Sequence, residues 1–343
     1  MRGRCVVGDA NDGFSMVELL TAMALSLVIV AVMVGLVNPA QRLAVKQPDA
    51  IDMHQRLRVA TSKMMRDLRM AGAGLDRGPA VGPLNGYLPA VVPHRLGAVG
   101  AQPANVARPD VITIMWAPLT ASQTVTTALF AGTALEVAHG PGCPPDASCG
   151  LAVGKNAAVF DATGHFDLLS VSSLAGSTVS TRRLGPASGH AYVSGAFVTE
   201  AEIRTYYFDV STRQLRQYDG DATDTPLIDD VSLFAVEYFG TPVPPHMPRP
   251  RIGTANCLYD AAGQPQPGLQ TLAPGTDGLA TLPLSLLSDG PWCGSGGTQF
   301  DADLLRVRRV RVTLGVRDSS PTRRLADLVV VFDAAPRNLR AVD

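Results

Sequence analysis

A single acidic residue precedes a long uncharged run near the amino terminus of this chain. Glu18 is followed by nineteen residues, 19–37, that include no Asp, Glu, Lys or Arg. As a helix this run is about 28 Å long, which is enough to cross the hydrocarbon core of a bilayer. A carboxylate is costly there, by about 2.5–3.5 kcal/mol at the centre of a membrane helix, unless an opposite charge lies nearby. The run therefore predicts a membrane-spanning helix whose acid has a function.

The residues around this acid resemble the amino terminus of type IV pilin-like proteins, which comprise pilins, minor pilins and type II secretion pseudopilins. Gly13, Phe14 and Glu18, followed directly by the apolar run, carry the resemblance. It implies that a membrane prepilin peptidase cuts between Gly13 and Phe14 and that the new terminal amine of Phe14 is methylated. It also implies that Glu18 pairs with the amino terminus of a neighbouring subunit during assembly. That pairing is physically reasonable, because a buried carboxylate needs an opposite charge and the freed amine supplies one.

The leader that this resemblance implies, residues 1–13, departs from the family in its charge. Its two Asp balance its two Arg, whereas the family's leaders usually end in basic residues. Two basic residues precede the run and two follow it closely, so charge alone does not fix the orientation of the helix. An ordinary signal anchor with Glu18 at the level of the lipid headgroups stays open. A secretory signal peptide fits less well, because it would have a basic start, a shorter apolar stretch and a small-residue cleavage site after that stretch.

Composition favours an exported domain rich in loops and strands. The chain has 343 residues, a net charge of −1, and 33 Gly and 26 Pro with few charged residues. Such a composition is not typical of a helical bundle or a disordered tail. Nothing in the overall charge points to nucleic acid or to acidic lipid.

Four of the five cysteines lie beyond the leader, and an oxidising compartment such as the periplasm would allow them to pair. Four cysteines permit three connectivities. We favour Cys143 with Cys149 and Cys257 with Cys293, since each pair closes a loop rich in Gly and Pro; free buried thiols remain the alternative. A metal site is not predicted, because the chain has no close CxxC pair and no His at ligand spacing from a Cys.

Helical periodicity returns after the apolar run. Pro39 predicts a kink, and Pro48 is a second point at which one helix could end and another begin. An apolar stripe then recurs at steps of three and four and predicts an amphipathic helix that packs on a sheet and ends at Gly72 and Gly74. The stripe consists of Met53, Leu57, Ala60, Met64, Leu68 and Ala71. The predicted organisation is a leader (1–13), a transmembrane and assembly half of the first helix (14–38), its amphipathic half (39–72), and a periplasmic β-rich head (73–343).

Alternating and β-branched segments predict the strands of the head. They lie at 110–116, 157–160, 166–171, 202–210, 213–218, within 227–239, and at 309–317 and 327–332. Two stretches rich in Gly and Pro, 73–109 and 240–299, are predicted to be a long ordered loop and an insertion. The fold class is therefore α+β, with the helix packed on mostly antiparallel strands. Segments 55–72, 229–239 and 306–317 are similar to PilW-type minor pilins, and the first also to J-type pseudopilins.

No catalytic motif is recognisable in the sequence. Gly154 and Lys155 end a glycine-containing stretch whose spacing is one residue short of a P-loop, and the six His are scattered singly. Asp219, Asp221 and Asp224 are a weak calcium candidate, with a solvated turn as the alternative. A basic strand could contact DNA, but we interpret it as an exposed face paired with acids such as Asp301 and Asp303. Its residues are Arg306, Arg308, Arg309 and Arg311.

These patterns predict a structural, non-enzymatic minor pilin of a type IV pilus that acts at the tip or in initiation and needs no cofactor. Its expected partners are the prepilin peptidase, other minor and major pilins through the first helix, the inner-membrane assembly platform, and membrane lipid before assembly; DNA is not expected. The precursor would span the inner membrane once with a periplasmic head and then enter the fibre. A minor pseudopilin of type II secretion and a signal-anchored periplasmic binding protein or enzyme remain alternatives.

Overall fold

A computed structural model describes most of the chain beyond the leader. The described residues are 15–73, 88–98, 106–118, 123–127, 129–130, 134–138, 144, 148, 150–161, 163–186, 188–317 and 327–336, of which 36–50, 123–124 and 129–130 are described without their side chains. The chain divides into two units, residues 1–53 and residues 54–343. The boundary between the units falls inside the segment that the sequence analysis assigned to the amphipathic half of the first helix.

One α-helix, α1, extends over Met16–Met70. It is assigned without an end at Pro39 or Pro48, so the predicted division at Pro48 is not observed. A proline removes one backbone hydrogen bond from a helix, and the helix can continue beyond it through the hydrogen bonds of the neighbouring residues.

The amphipathic stripe of α1 is buried, as its spacing predicts. Leu57, Met64 and Leu68 are at most 2% exposed, whereas Met53 at the start of the stripe is only partly buried. The helix ends before Gly72, whose φ of 73° is the left-handed conformation that glycine adopts without strain. The Gly72 N–H then donates to the Met115 carbonyl, which joins the end of α1 to a strand of the body.

The body of the second unit consists mainly of strands. In chain order they are β1 (Val91–Val92), β2 (Val111–Trp116), β3 (Gln123–Thr124), β4 (Leu129–Phe130), β5 (Leu135–Glu136), β6 (Asn156–Phe160), β7 (Phe166–Ala175), β8 (Thr178–Arg183), β9 (Ala191–Tyr192), β10 (Phe197–Glu200), β11 (Glu202–Asp209), β12 (Gln214–Tyr218), β13 (Asp224–Ile228), β14 (Val231–Gly240), β15 (Ala280–Leu282), β16 (Trp292–Cys293), β17 (Phe300–Asp301), β18 (Val307–Val316) and β19 (Leu328–Ala334). Every described strand pair is antiparallel, so the α+β class and the mostly antiparallel body are confirmed.

Three sheets contain most of these strands. The first has the order β1-β2-β11-β12-β13, the second β3-β10-β6-β7-β8-β5, and the third β15-β14-β18-β19. In the first sheet the predicted hairpin of β11 and β12 is present, and the cross-strand hydroxyls of Thr113 and Thr205 lie 2.8 Å apart in its interior. In the third sheet β14 and β18 alternate as predicted, with Phe234, Val236 and Tyr238 of β14 buried.

The second sheet has an apolar core of its own. Val159, Leu169 and Val198 from three of its strands are fully buried there together with the aromatic ring of Tyr192. The predicted pair formed by β6 and β7 lies at its centre. Its other strands are short or polar on one side, which is why the sequence pattern did not reveal them.

The stretch 240–299 is ordered but has little regular structure. It holds β15, two short 3-10 turns and β16, and it is closed by a disulfide between Cys257 and Cys293. This is one of the two cysteine pairs favoured from the sequence. The other stretch rich in Gly and Pro, 73–109, contains the strand β1, which the sequence analysis did not predict.

Candidate functional site

The first 20 residues of α1, Met16–Gly35, form a helix long and apolar enough to cross a membrane, although a signal sequence near the amino terminus has the same properties. Its side chains are exposed on all sides among the described residues. A helix that is apolar all round is stable only when lipid or protein surrounds it.

Glu18 has a local role in the structure that its spacing could have revealed. The Ser15 N–H donates to Glu18 Oε2 at 3.1 Å, and the Val17 N–H donates to Ser15 Oγ at 3.3 Å. The pattern Ser-x-x-Glu is a capping box, in which each side chain satisfies a free backbone N–H at the start of the helix. Glu18 thus caps α1 and remains exposed to a further partner.

Several predicted site residues lie outside the described residues. These are Gly13 and Phe14 of the cleavage site and the cysteine pair Cys143 and Cys149. Of the cysteines, the structure describes Cys257 and Cys293, which are joined.

The three acids of the calcium candidate bind different protein groups. Asp219 Oδ1 accepts the N–H groups of Asp221 and Thr223 at 2.9 and 3.0 Å in the turn after β12. Asp221 forms an ion pair with Arg182 at 2.7 Å. Asp224 is the first residue of β13, which the sequence analysis missed, and its carboxylate accepts from Tyr207 and Arg216. The three carboxylates thus bind different protein groups, in a turn for Asp219 and at strands for Asp221 and Asp224.

The basic strand is held by acids and by backbone carbonyls. Arg306 is fully buried and its Nε lies 2.6 Å from Asp303 Oδ1. Arg311 forms an ion pair with Asp333 at 2.7 Å, and Arg309 forms ion pairs with Asp277 and Asp333. Arg308 donates to the carbonyls of Leu305 and Val307. These contacts give the arginines a structural role within the third sheet and its flanking segments.

Two histidines that are 25 positions apart in the sequence meet beside an acid at the end of the second sheet. Asp161 follows β6, His165 precedes β7, and His190 precedes β9. One possible ligand atom from each of the three lies within 4.8 Å of the others. The imidazole rings of His165 and His190 stack with centroids 3.9 Å apart, and His190 Nε2 lies 2.7 Å from Asp161 Oδ2. We call these three residues the Asp-His-His cluster.

Hydrogen bonds and burial act on His165 in this cluster. Thr163 Oγ1 donates to Asp161 Oδ1 at 2.5 Å and lies 2.9 Å from His165 Nδ1. Burial, and then the neighbouring His190, lower the pKa of His165, so its imidazole is neutral over a wider pH range than usual. The sequence could not predict that His165 and His190 are in contact, because only the pairing of distant strands brings these two histidines together.

A second group of acids, Asp289, Asp301 and Asp303, also lies within ligand distance. Asp301 accepts the N–H groups of Gly290 and Asp303, and Asp303 faces the buried Arg306. The guanidinium supplies one positive charge beside Asp303, and burial raises the pKa of Asp301 and of Asp303, which favours their neutral form.

Comparison with models of protein families, with curated proteins and with solved structures found no match to this chain.

Proposed function

We propose that this chain is a structural minor pilin of a type IV pilus, processed by a prepilin peptidase between Gly13 and Phe14 and acting in initiation or at the tip. The observation that carries the proposal is the helix Met16–Gly35, exposed on all sides, with Glu18 as the one carboxylate within it. Such a helix needs an apolar environment. The helix of a pilin-like subunit has two apolar environments in succession. Lipid surrounds it in the precursor, and neighbouring helices surround it in the fibre.

Glu18 supports the same role through its charge. Its capping bond to Ser15 uses Oε2. A carboxylate has about four acceptor positions, so it can accept from a second donor without losing the cap. In an apolar fibre core that donor would be the terminal amine of Phe14 from a neighbouring subunit, because an ionised carboxylate there requires a positive charge.

The head fits a low-abundance subunit better than a repeating one. It contains the stretch 240–299, closed by the Cys257–Cys293 disulfide, in addition to three sheets. Bulky heads are hard to pack in every turn of a fibre. The partners that follow are other minor and major pilins through α1 and the assembly platform of the inner membrane, with the head in the periplasm.

Substitutions at Glu18 and Ser15 separate the charge from the cap. Glu18→Gln keeps an oxygen acceptor for the Ser15 N–H but removes the charge, whereas Ser15→Ala removes the Ser15–Val17 bond and keeps the charge. We expect Glu18→Gln and Glu18→Ala to be cleaved normally and to be lost from fibres, and Ser15→Ala to assemble. The measurement is the amount of the chain in sheared surface fibres relative to its mature form in membranes.

Normal incorporation of Glu18→Gln would contradict the charge pairing. Equal loss with Ser15→Ala and with Glu18→Gln, at normal cleavage, would assign the effect to the helix cap instead.

Two other functions use the same helix. A minor pseudopilin of type II secretion would share every feature of α1, and the long head is what leads us to the pilus. A signal-anchored periplasmic protein is favoured by one observation, the capping box, because it gives Glu18 a role in any helix. The anchored protein would keep residues 1–13, whereas both pilin-like proteins would lose them.

A further inference from the structure

We propose that the Asp-His-His cluster binds a divalent transition-metal ion, Zn²⁺ by the chemistry of its donors. The proposal concerns the head alone and does not depend on the function proposed above. Two imidazole nitrogens and one carboxylate oxygen are ligands that Zn²⁺ accepts, and three protein ligands leave a position for water or for a further ligand.

The distances within the cluster are close to those around one ion. A tetrahedral Zn²⁺ with ligands at about 2.1 Å holds its ligand atoms about 3.4 Å apart. His190 Nε2 and Asp161 Oδ2 lie 2.7 Å apart in a hydrogen bond, so the ion replaces the proton between them, which is released to solvent, and needs this pair to open by less than about 1 Å. All three ligand atoms already lie within 4.8 Å of one another.

Thr163 fixes the tautomer of His165. A hydroxyl has one proton, and Thr163 Oγ1 donates it to Asp161 Oδ1. The contact with His165 Nδ1 at 2.9 Å is therefore one in which Nδ1–H donates to Thr163. This arrangement leaves the lone pair on His165 Nε2, and a hydrogen bond from the other ring nitrogen is how proteins orient histidine ligands.

A buried carboxylate behind the cluster adds the charge that favours a cation. Asp167 is 1% exposed, and its Oδ2 accepts from Ser188 and from Tyr192 Oη. Its Oδ1 is buried and has no hydrogen-bond partner among the described residues. When ionised, Asp161 and Asp167 place two negative charges beside the two imidazoles, and a divalent ion would balance these charges.

The segment 240–299 supports the loops that carry the cluster. A Cβ on Gly164 would lie 3.0 Å from the Cys257 sulfur, so the disulfide packs directly against the loop between Asp161 and His165. Ser295 Oγ donates to the Ser188 carbonyl at 2.7 Å, two residues before His190. The cluster is therefore held from outside, while both its imidazoles remain partly exposed to entering ions.

Metal binding must break the histidine stack. The His165 and His190 rings are within 6° of parallel, and an ion lies in the plane of each imidazole that binds it. At least one ring must therefore turn when the ion binds. A structural ion pair between His190 and Asp161 alone would show no such change.

The test is titration of the full-length chain, purified in detergent without a histidine tag, with ZnCl₂ and separately with CoCl₂. We expect one saturable site per chain by calorimetry and a Co²⁺ absorption spectrum of low coordination number. His165→Gln and His190→Gln should each weaken Zn²⁺ binding by at least about 10-fold. His246→Gln, a histidine outside the cluster, should leave the affinity unchanged.

Titration of the wild-type chain tests the proposed site even if a variant fails to fold. The absence of saturable binding of Zn²⁺ and Co²⁺ to the wild type would overturn it. Binding that survives in both cluster variants, or that falls equally in His246→Gln, would also overturn it and would indicate scattered surface sites.

Discussion

His94 is a histidine buried inside the second unit. The residue is 5% exposed, and its Nε2 has no hydrogen-bond partner among the described residues. Burial lowers the pKa of His94 from 6.5 to about 4. The folded state thus holds the neutral imidazole over a pH range in which the unfolded state takes up a proton.

The sign of the resulting pH dependence follows from that difference. Below pH 6.5 the unfolded chain gains a proton at His94 and the folded chain does not, so stability falls as the pH decreases towards 4. Between pH 7 and pH 5 this residue should remove about 2 kcal/mol from the free energy of unfolding. Denaturant titrations at both pH values should show that His94→Leu loses this part of the dependence and that His246→Leu keeps it. An unchanged dependence in His94→Leu would contradict the assignment.

Single residues were predictable where their signal is local in sequence. The end of α1 at Gly72 was predictable, because this glycine directly follows the last residue of the apolar stripe and has the positive φ that ends a helix. Asp67 precedes Leu68 of the buried stripe, and its Oδ2 accepts from Tyr206 in β11 at 2.6 Å. This hydrogen bond, like the contacts within the Asp-His-His cluster, depends on the pairing of strands that are distant in sequence. No local sequence pattern predicts it.

Among the structural elements, the segment before β18 is built around a buried ion pair. Arg306 and Asp303 are both fully buried, and Arg306 Nη1 also donates to the Gln270 carbonyl at 2.7 Å. The guanidinium thus joins the start of β18 to the segment 240–299. An unpaired charge left in such a site is strongly destabilising.

We therefore expect Arg306→Met to lower the free energy of unfolding by about 3–5 kcal/mol. The double variant Arg306→Met/Asp303→Leu should be less destabilised than the sum of the single variants, because it leaves no charge uncompensated. Chemical denaturation of the four forms in one buffer measures this coupling. Additive effects in the double variant would show that the two side chains do not act as a pair.

The predictability of strands depended on length and alternation. Strands β14 and β18 are ten residues long and alternate in burial much as predicted, whereas β2, six residues long, is present where predicted but is buried on both faces. The missed strands include β1, β9 and β13, which have two to five residues, and β13 contains a proline. Such short segments are stabilised by the sheet they join rather than by their own sequence.

In the molecule as a whole, the two units were predictable to different degrees. The helix of the first unit follows from composition alone, since its 20-residue segment Met16–Gly35 has a mean hydropathy of 2.5 and favours an apolar environment. The class of the head, α+β with antiparallel strands, also followed from periodicity. The division into three sheets and the course of segment 240–299 did not, because they depend on contacts between distant parts of the chain.

The proposed processing of the amino terminus can be tested directly on the intact protein. The chain is isolated from membranes of cells with and without prepilin peptidase, and its amino-terminal peptide is identified by mass spectrometry. We expect a chain that begins at N-methylated Phe14 only when the peptidase is present. Retention of residues 1–13 in both samples would contradict the proposed function and would leave a protein anchored by an uncleaved signal.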